Sequence, residues 1–335
     1  MNIHGPCPKG FGKLSIKKIK SLPFGGPISA IIAVICFSLN DMCIKFISGD
    51  YALHQIVFFR SIIGLGLLLG LLVPFSGGLP SLRTKRLGLH LLRGLCVVFA
   101  NLCFFLGLAS LHLSEGVAIF FISPLLITVF SVLFLKETVG IHRWSAIFLG
   151  LVGVIIMLRP GTSAFQLASF FPLAAAFGYA SLHMLTRYIG RTESALTMSF
   201  YIQVTFFLIA CLFGISTGSG QFAGSKDASL EFLMRAWVWP SLEDIPLFLL
   251  IGFASAFGGF FISHAYRNSD AGFIAPFEYF AMPLAVFWGY VVFKHWPDHT
   301  SFLGMILIVG AGLYLIWREI SAKSLSVQDT PRYRR

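Results

Sequence analysis

The chain has 335 residues, of which 56% are hydrophobic and only 12% are Asp, Glu, Lys or Arg. An average soluble domain is about 25% charged, so most of this chain has too few charged side chains to face water. This composition excludes an ordinary soluble enzyme and indicates an integral membrane protein. The net charge of +11 comes from basic residues that lie between apolar runs and not on one face, so it predicts membrane topology and not a nucleic-acid partner.

Residues 1–26 form a basic tail, and the apolar run that follows has no small-residue cleavage site. Because that run is about as long as a full span, it predicts a retained first helix and not a signal peptide. A loop at 217–244 contains an amphipathic segment, Ser229 to Trp239, whose Trp237 and Trp239 fit an interfacial belt. Ten spans are predicted, at 27–47, 53–74, 88–110, 114–134, 141–158, 169–189, 196–216, 245–267, 272–292 and 300–317.

The distribution of Lys and Arg predicts the orientation of these spans. With the N-terminus inside, 18 of the 25 basic residues lie in inner segments, 5 in outer segments and 2 within spans. Positive charge accumulates on the cytoplasmic side. We therefore expect a multi-pass protein of a bacterial inner membrane with both termini in the cytoplasm, ending in a second basic tail at 319–335.

The chain also contains an internal repeat. Segment 39–47 aligns with segment 181–189 once their Met residues are matched. Further along, a constant shift of 159 matches Pro124 with Pro283, Phe134 with Phe293, Gly153 with Gly312 and Arg159 with Arg318. The halves are then 27–160 and 161–318, with five spans each. An odd number of spans makes the repeat inverted, and inverted repeats are typical of secondary transporters that work by alternating access, with the substrate site near the midplane.

Short motifs along the chain share their order and spacing with a known family. They are Asn40-Asp41, Phe59-Arg60, Ser123-Pro124, Phe134-Leu135-Lys136-Glu137, Leu158-Arg159-Pro160-Gly161 and Ala275-Pro276-Phe277-Glu278-Tyr279. Together they resemble the drug/metabolite transporter superfamily, in the ten-span branch built from two EamA-type domains. The resemblance implies transport of small metabolites, as in S-adenosylmethionine importers, riboflavin importers and amino-acid exporters. One motif departs from the family, since Lys294-His295 stands where Gly-Glu is usual, so the resemblance does not extend to a paired role for Glu137.

Ionisable residues within spans are costly and need a partner or a function. Asp41 and Arg60 lie at similar depth in spans 1 and 2, so they are expected to form a buried ion pair or to take part in substrate or proton binding. The repeat relates Asp41 to His183 and Arg60 to Gln203. His183 is either a proton switch or a hydrogen-bonded packing residue.

Glu278 follows Pro276, which removes a backbone donor and loosens the helix. With His264 and Arg267 it forms the strongest predicted constellation, which serves substrate binding or gating, or else holds a structural Glu278 to Arg267 pair. Asn101 and Arg93 in span 3 are weaker candidates, because Arg93 is close enough to the cytoplasmic end to snorkel.

No motif for ATP, a metal, a dinucleotide or covalent catalysis occurs in a suitable context. We therefore expect no cofactor and no catalytic or metal-binding residues. The predicted function is uptake of a flavin-like or nucleoside-like metabolite such as riboflavin or S-adenosylmethionine, with export of amino acids or drugs as the alternative. An intramembrane enzyme or receptor is the rival of another class. The expected partners are the small-molecule substrate and the lipid bilayer, while coupling to a proton or substrate gradient and a homodimer are left open.

Overall fold

The computed structural model describes residues 25–135, 140–158, 166–269 and 271–328. Every regular element in these ranges is helical, which confirms the all-α class. Most of the N-terminal tail, Lys136-Glu137, Arg159-Pro160-Gly161 and the last seven residues lie outside the described residues. The α-helices are α1 (Gly25–Ile47), α2 (Leu53–Leu67), α3 (Val73–Phe75), α4 (Leu87–Ser110), α5 (Leu113–Phe120), α6 (Ser123–Leu135), α7 (Ile141–Leu158), α8 (Phe170–Ile189), α9 (Ala195–Thr217), α10 (Ala228–Met234), α11 (Ile245–Asn268), α12 (Ala271–Ile274), α13 (Ala281–Val291) and α14 (His299–Gln328).

Seven helical stretches of the described chain are long and apolar enough to cross a membrane. They are Gly25–Ile47, Leu53–Phe75, Leu87–Ser110, Leu113–Phe134, Leu167–Ile189, Ala195–Thr217 and Ile245–Asn268. The other three predicted spans correspond to α7, to the interrupted α12 and α13, and to α14, of which α7 and α14 contain shorter apolar stretches. The chain is thus a polytopic membrane protein, and the count of ten spans stays a prediction.

Two of the predicted spans are interrupted near the same place in each half. In span 4, α5 ends at Phe120 and α6 begins at Ser123, one residue before Pro124. In span 9, the 3-10 helix Ala275–Phe280 separates α12 from α13. Irregular backbone at membrane depth is tolerated only where protein or a cavity surrounds it, because lipid offers no hydrogen bonds. Both interruptions therefore belong to the interior of the bundle.

The helices of the two halves pack against each other in a mirrored manner. Helix α1 packs along α11, and its counterpart α8 packs along α4. A Cβ atom at Gly94 in α4 would lie 2.2 Å from Oγ1 of Thr205 in α9, and one at Gly252 in α11 would lie 2.4 Å from Cγ2 of Ile63 in α2. The two glycines are 158 positions apart and their two partners 142 apart. Close contact at equivalent positions is what an internal repeat requires.

The segment between α9 and α11 lies over the junction of α1 and α2. The amphipathic segment predicted at Ser229–Trp239 is helical only over Ala228–Met234, and the carboxylate of Asp227 caps that helix by accepting the amide of Leu230 at 3.0 Å. Residues 235–240, beyond α10, have no regular secondary structure. The backbone N–H of Val238 donates to Gln55 Oε1 at 3.2 Å, and its carbonyl accepts from Gln55 Nε2. The C-terminal half is thereby tied to the N-terminal half.

Candidate functional site

A cavity lies between the N-terminal half, α1 to α7, and the C-terminal half, α8 to α14. It contains about 850 Å³ of atom-free space, including its open mouth. Its aromatic lining residues are Phe37, Phe104, Phe120, Tyr179 and Phe206. Its polar and charged lining residues are Asn40, Asp41, Arg60, Arg93, Asn101, His183 and Ser255. A mainly apolar lining with a few polar groups is typical of sites for small organic ligands.

The two walls of the cavity correspond position by position. A shift of 142 residues relates α1 and α2 to α8 and α9, and a shift of 158 residues relates α4 to α11. Both shifts pair a lining residue of one half with a lining residue of the other half. The matched pairs are Phe37 with Tyr179, Asn40 with Leu182, Asp41 with His183, Arg60 with Ile202, Val97 with Ser255, Asn101 with Gly259 and Phe104 with Ile262. Both charges within these pairs come from the N-terminal half. We call the two sets the N-wall and the C-wall.

Asp41 and Arg60 face the same cavity but do not form the predicted contact ion pair. Among the residues that the structure describes, no ion pair within 4.0 Å joins them. Asp41 accepts from Asn40 Nδ2 at 3.1 Å. Arg60 donates to Asn101 Oδ1 at 3.0 Å and lies 4.5 Å from the ring centre of Phe206. Each charge is therefore held by a neutral amide and stays available to a ligand.

Gln203 does not occupy the position that the sequence repeat predicted for it. The shift of 142 between α2 and α9 pairs Arg60 with Ile202, and Gln203 is one residue further along. One residue turns a helix by about 100°, so Gln203 points away from the cavity lining. Its Nε2 donates to Ser255 Oγ at 3.1 Å, and Gly64 leaves room for its amide.

Glu278 is buried beside the cavity, behind two tyrosines. The hydroxyl of Tyr266 donates to Glu278 Oε1, and the hydroxyl of Tyr179 also hydrogen-bonds to this carboxylate. The ring of Tyr266 stacks on His183 with 3.9 Å between ring centres. His183 lines the cavity, and neither of its ring nitrogens has a hydrogen-bond partner among the described residues. His183 is thus positioned by ring contacts and not by the hydrogen bonds of a satisfied packing residue.

The predicted constellation of Glu278, His264 and Arg267 is not assembled. Arg267 Nε donates to the backbone carbonyls of Gly190 at 3.0 Å and of Glu193 at 2.8 Å, at the end of α8. His264 Nδ1 lies 3.2 Å from Ser29 Oγ. Adjacent positions on α11 point in different directions, so Tyr266 reaches Glu278 and Arg267 does not.

Comparison with known proteins finds one family model and several transporter relatives. The sequence model described as "EamA-like transporter family" matches residues 24–159. The chain is 26% identical over 296 residues to the S-adenosylmethionine uptake transporter of Rickettsia prowazekii (strain Madrid E), which covers 88% of this chain and 93% of that protein. It is 29% identical over 264 residues to the riboflavin transporter of Brucella anthropi, which covers 79% of this chain and 88% of that protein. These matches support an EamA-type member of the drug/metabolite transporter superfamily.

A solved structure shares the fold of this chain. A crystal structure superposes with a TM-score of 0.65 at 17% identity, and the match covers 90% of this chain and 98% of that one. The EamA match and the transporter relatives indicate a transporter and not an enzyme, so the cavity is a candidate site for the transported compound.

Arg93 is central to this EamA-type bundle, contrary to the expectation that it snorkels to the cytoplasmic end. It is only 1% exposed. Its guanidinium donates to Thr186 Oγ1 at 2.7 Å, to the Met198 carbonyl at 2.8 Å and to Ser263 Oγ at 2.8 Å. One side chain of α4 thereby joins α8, α9 and α11. Placing a charge within a membrane span is costly, and this argument made Arg60 a candidate. The same argument applies to Arg93, so the sequence already contained a reason to expect a buried role for it.

Two further site residues of the EamA transporter were absent from the sequence-based candidates. Asn40 lines the cavity, and its Oδ1 has no hydrogen-bond partner among the described residues. Tyr179 lines the cavity and hydrogen-bonds to Glu278. Asn40 stands next to Asp41 within an apolar run, so its polarity at membrane depth was a usable signal. Tyr179 carried no such signal, because aromatic residues are frequent throughout the chain.

Proposed function

We propose that this transporter takes up a nucleoside-like or flavin-like metabolite through the cavity between its halves. The observation that carries the proposal is the unequal chemistry of the two walls. The N-wall offers Asp41 and Arg60 as separate charges with neighbouring amides, while aromatic rings surround them. A ligand that combines a planar ring with charged groups matches this arrangement, since rings stack on aromatic side chains and buried charges need counter-charges.

S-adenosylmethionine fits these requirements best. Its adenine ring suits the aromatic side chains, its sulfonium and ammonium groups suit Asp41, and its carboxylate suits Arg60 with Asn101. The relative from Rickettsia prowazekii, which bears the name of an S-adenosylmethionine uptake transporter, supports this choice. Riboflavin is the second candidate, favoured by the relative from Brucella anthropi and by the aromatic lining. Riboflavin would use the same rings but would leave the two charges without counter-charges.

Alternating access follows from the mirrored halves. We infer that 27–160 and 161–318 are two EamA-type repeats of opposite orientation that rock about the cavity in a bacterial inner membrane. The equivalent packing of α1 on α11 and of α8 on α4 supports this motion, because rigid bundles that share a central site can expose it to one side at a time. Reporter fusions within 75–87 should be cytoplasmic and one near Ser225 external. A cytoplasmic reporter at Ser225 would contradict the ten-span arrangement.

The transport proposal is tested with purified protein in proteoliposomes. Vesicles preloaded with unlabelled S-adenosylmethionine should accumulate labelled S-adenosylmethionine in a saturable manner, and the label inside should be chemically unchanged. Unlabelled S-adenosylmethionine should compete more strongly than riboflavin, and amino acids should compete weakly. Protein-free vesicles provide the background. Saturable counterflow of amino acids alone would replace the proposal with the exporter alternative, and a modified product would indicate an enzyme.

A further inference from the structure

Glu278 is a buried carboxyl group that the cavity itself does not use. It is 4% exposed and does not line the cavity. None of the ion pairs in the described part of the chain involves it, and its hydrogen-bond partners are the hydroxyls of Tyr266 and Tyr179. An ionised carboxylate at membrane depth is expensive without a counter-charge. Binding a proton removes that cost, so the site is built for a group that changes charge.

The two tyrosines connect this carboxyl group to the cavity. Tyr179 lines the cavity and hydrogen-bonds to Glu278, so its hydroxyl lies between the two. Tyr266 donates to Glu278 and stacks on His183, which also lines the cavity. A carboxylate accepts from both hydroxyls, whereas a protonated carboxyl group needs fewer donors and becomes a donor itself. The protonation state of Glu278 therefore decides whether the Tyr179 hydroxyl is free to face a ligand.

The surroundings of Glu278 contain few other titratable groups. Tyr179 on α8, Tyr266 on α11 and the adjacent Tyr279 interact with it electrostatically. His183 lies behind Tyr266, and Asp41 on α1 interacts with Tyr179 across the cavity. Helices α6, α12 and α13, which pack on this segment, contain no Asp, Glu, His, Lys or Arg, and α14 has His299 at its start and its other charged residues from Arg318 onward. Glu278 is thus the acidic group nearest to the tyrosine pair.

The local backbone also favours a group that moves. Glu278 lies in the 3-10 helix Ala275–Phe280, between α12 and α13. Short 3-10 segments have poorer hydrogen-bond geometry than an α-helix and often mark hinges. In the mirrored span, the break at 121–122 places Phe121 against Tyr279, with 5.5 Å between ring centres. A change at Glu278 can therefore be passed to both interrupted spans.

We propose that Glu278 is the binding site of a coupling proton, which makes this protein a proton-driven transporter. The inference rests on the proposed transport function. The carboxylate takes up a proton from the acidic side, the tyrosine hydroxyls are released toward the cavity, and the proton leaves on the other side after the halves have moved. His183 serves as part of the cavity wall in this scheme and carries no coupling proton.

The test separates exchange from proton-driven accumulation in proteoliposomes. Counterflow of S-adenosylmethionine without a pH gradient needs only the cavity and the rocking of the halves. Accumulation against a gradient with acid outside also needs the coupling site. We expect Glu278→Gln, which keeps the size and can still accept from Tyr266, to retain counterflow within about twofold and to lose pH-driven accumulation at least tenfold, or about 1.4 kcal/mol. Glu243→Gln, at an exposed acidic position, is the matched control and should keep both.

Each outcome decides between the two proposals. Undiminished pH-driven accumulation by Glu278→Gln would overturn the proton site, and so would wild-type protein that exchanges substrate but ignores the pH gradient. Absence of counterflow in the wild type with every substrate would instead contradict the transport function. If Glu278→Gln loses counterflow as well, Tyr266→Phe decides. Removing this donor disfavours the carboxylate, so half-maximal pH-driven uptake should move to higher pH, and an unchanged pH profile would refute the role of Glu278.

Discussion

The N-wall and the C-wall share one framework and differ in chemistry. Asp41 corresponds to His183, Arg60 to Ile202 and Asn101 to Gly259, and all six residues line the cavity. The N-wall thus carries a carboxylate, a guanidinium and an amide where the C-wall carries an imidazole, an alkyl chain and no side chain. The packing beneath the walls is mirrored.

This difference distinguishes positions that pack the helices together from positions that face the cavity. Positions that hold the helices together recur in both halves, as Gly94 and Gly252 do. The positions that face the cavity are equivalent in the two halves, but the residues at those positions differ in type. A ligand with its polar groups on one side and its ring on the other can bind in one orientation only, with its polar groups against the N-wall.

The largest expected effect concerns Arg93, whose mirrored position is occupied by Ile251. Arg93→Gln leaves Thr186, Met198 and Ser263 without their shared charged donor. Hydrogen bonds to a buried charge contribute about 1.5–3 kcal/mol each, so the loss should be about 3 kcal/mol or more. A clearly lower Tm in detergent, followed by tryptophan fluorescence, is the expected result.

The control for this prediction is Ile251→Val, which should cost no more than about 1.5 kcal/mol. If Arg93→Gln unfolds at the wild-type temperature, the arginine does not hold the four helices together. The difference between the halves would then be confined to the cavity surface.

The mirrored glycines should give the next largest effects, and equal ones. Alanine at Gly94 or at Gly252 would place a methyl group against Thr205 or Ile63 at less than 3 Å, and overpacking of this kind costs about 1–3 kcal/mol. Gly66→Ala in α2, where nothing lies within 4 Å, is the matched control and should be neutral or slightly stabilising. Thermal unfolding of the three variants measures this directly. A large loss of stability at only one of Gly94 and Gly252 would contradict the inference that the two halves pack in a mirrored manner.

These contacts mark the limit of what the sequence could predict. The lengths of apolar runs predicted the seven membrane-capable helices to within about two residues at each end, because a helix must cross about 30 Å of hydrocarbon and each residue adds 1.5 Å. The bounds of α7, Ile141–Leu158, agree with the prediction. The break in the helix after Phe120 was harder to predict from the sequence, because Ser123-Pro124 is compatible with a continuous span as well as with an interrupted one.

Residue pairing was predicted less well, because counting along a helix gives depth and not direction. Asp41 and Arg60 lie at similar depth, but each side chain points to its own amide neighbour. Arg267 and Tyr266 are adjacent, and only Tyr266 faces Glu278. The rotation of each helix about its axis depends on packing with all its neighbours, which a single sequence does not specify.

The carboxylate of Asp41 provides a sharper test of the two walls. Asp41→Asn keeps the size of the side chain and removes the charge that we assign to the cationic centre of the substrate. The KM for S-adenosylmethionine should rise about tenfold, which corresponds to about 1.4 kcal/mol, whereas uptake of neutral riboflavin should change less. Uptake normalised to inserted protein measures both substrates in the same variant. An equal loss for both would mean that Asp41 supports the fold and not the charge of the ligand.

Moving the charge to the C-wall then compares the walls directly. In the double variant Asp41→Asn with His183→Asp, the carboxylate stands at the mirrored position on the C-wall. We expect no recovery of the affinity, because the partners that orient the rest of the ligand remain on the N-wall. Recovery would show that the two walls are interchangeable and that the ligand binds in two orientations.

The smallest expected effect concerns the contact between the halves at Asp244, which precedes α11. The hydroxyl of Tyr51, between α1 and α2, donates to Asp244 Oδ2 at 2.7 Å, and that of Ser241 donates at 2.8 Å. These two hydrogen bonds lower the pKa of Asp244 below its usual value near 3.8. Because the folded state holds this carboxylate ionised to lower pH than the unfolded state does, the contribution to stability is fully present above the unfolded pKa and is lost as the pH falls through the folded one.

Tyr51→Phe should therefore lower Tm slightly and by a constant amount between pH 6 and 8, on the order of the small effects of exposed charges, and the difference should shrink below about pH 4. A difference that stays constant down to pH 3 would assign the effect of Tyr51 to the Ser241 amide, which donates to its hydroxyl at 3.0 Å, and not to the carboxylate.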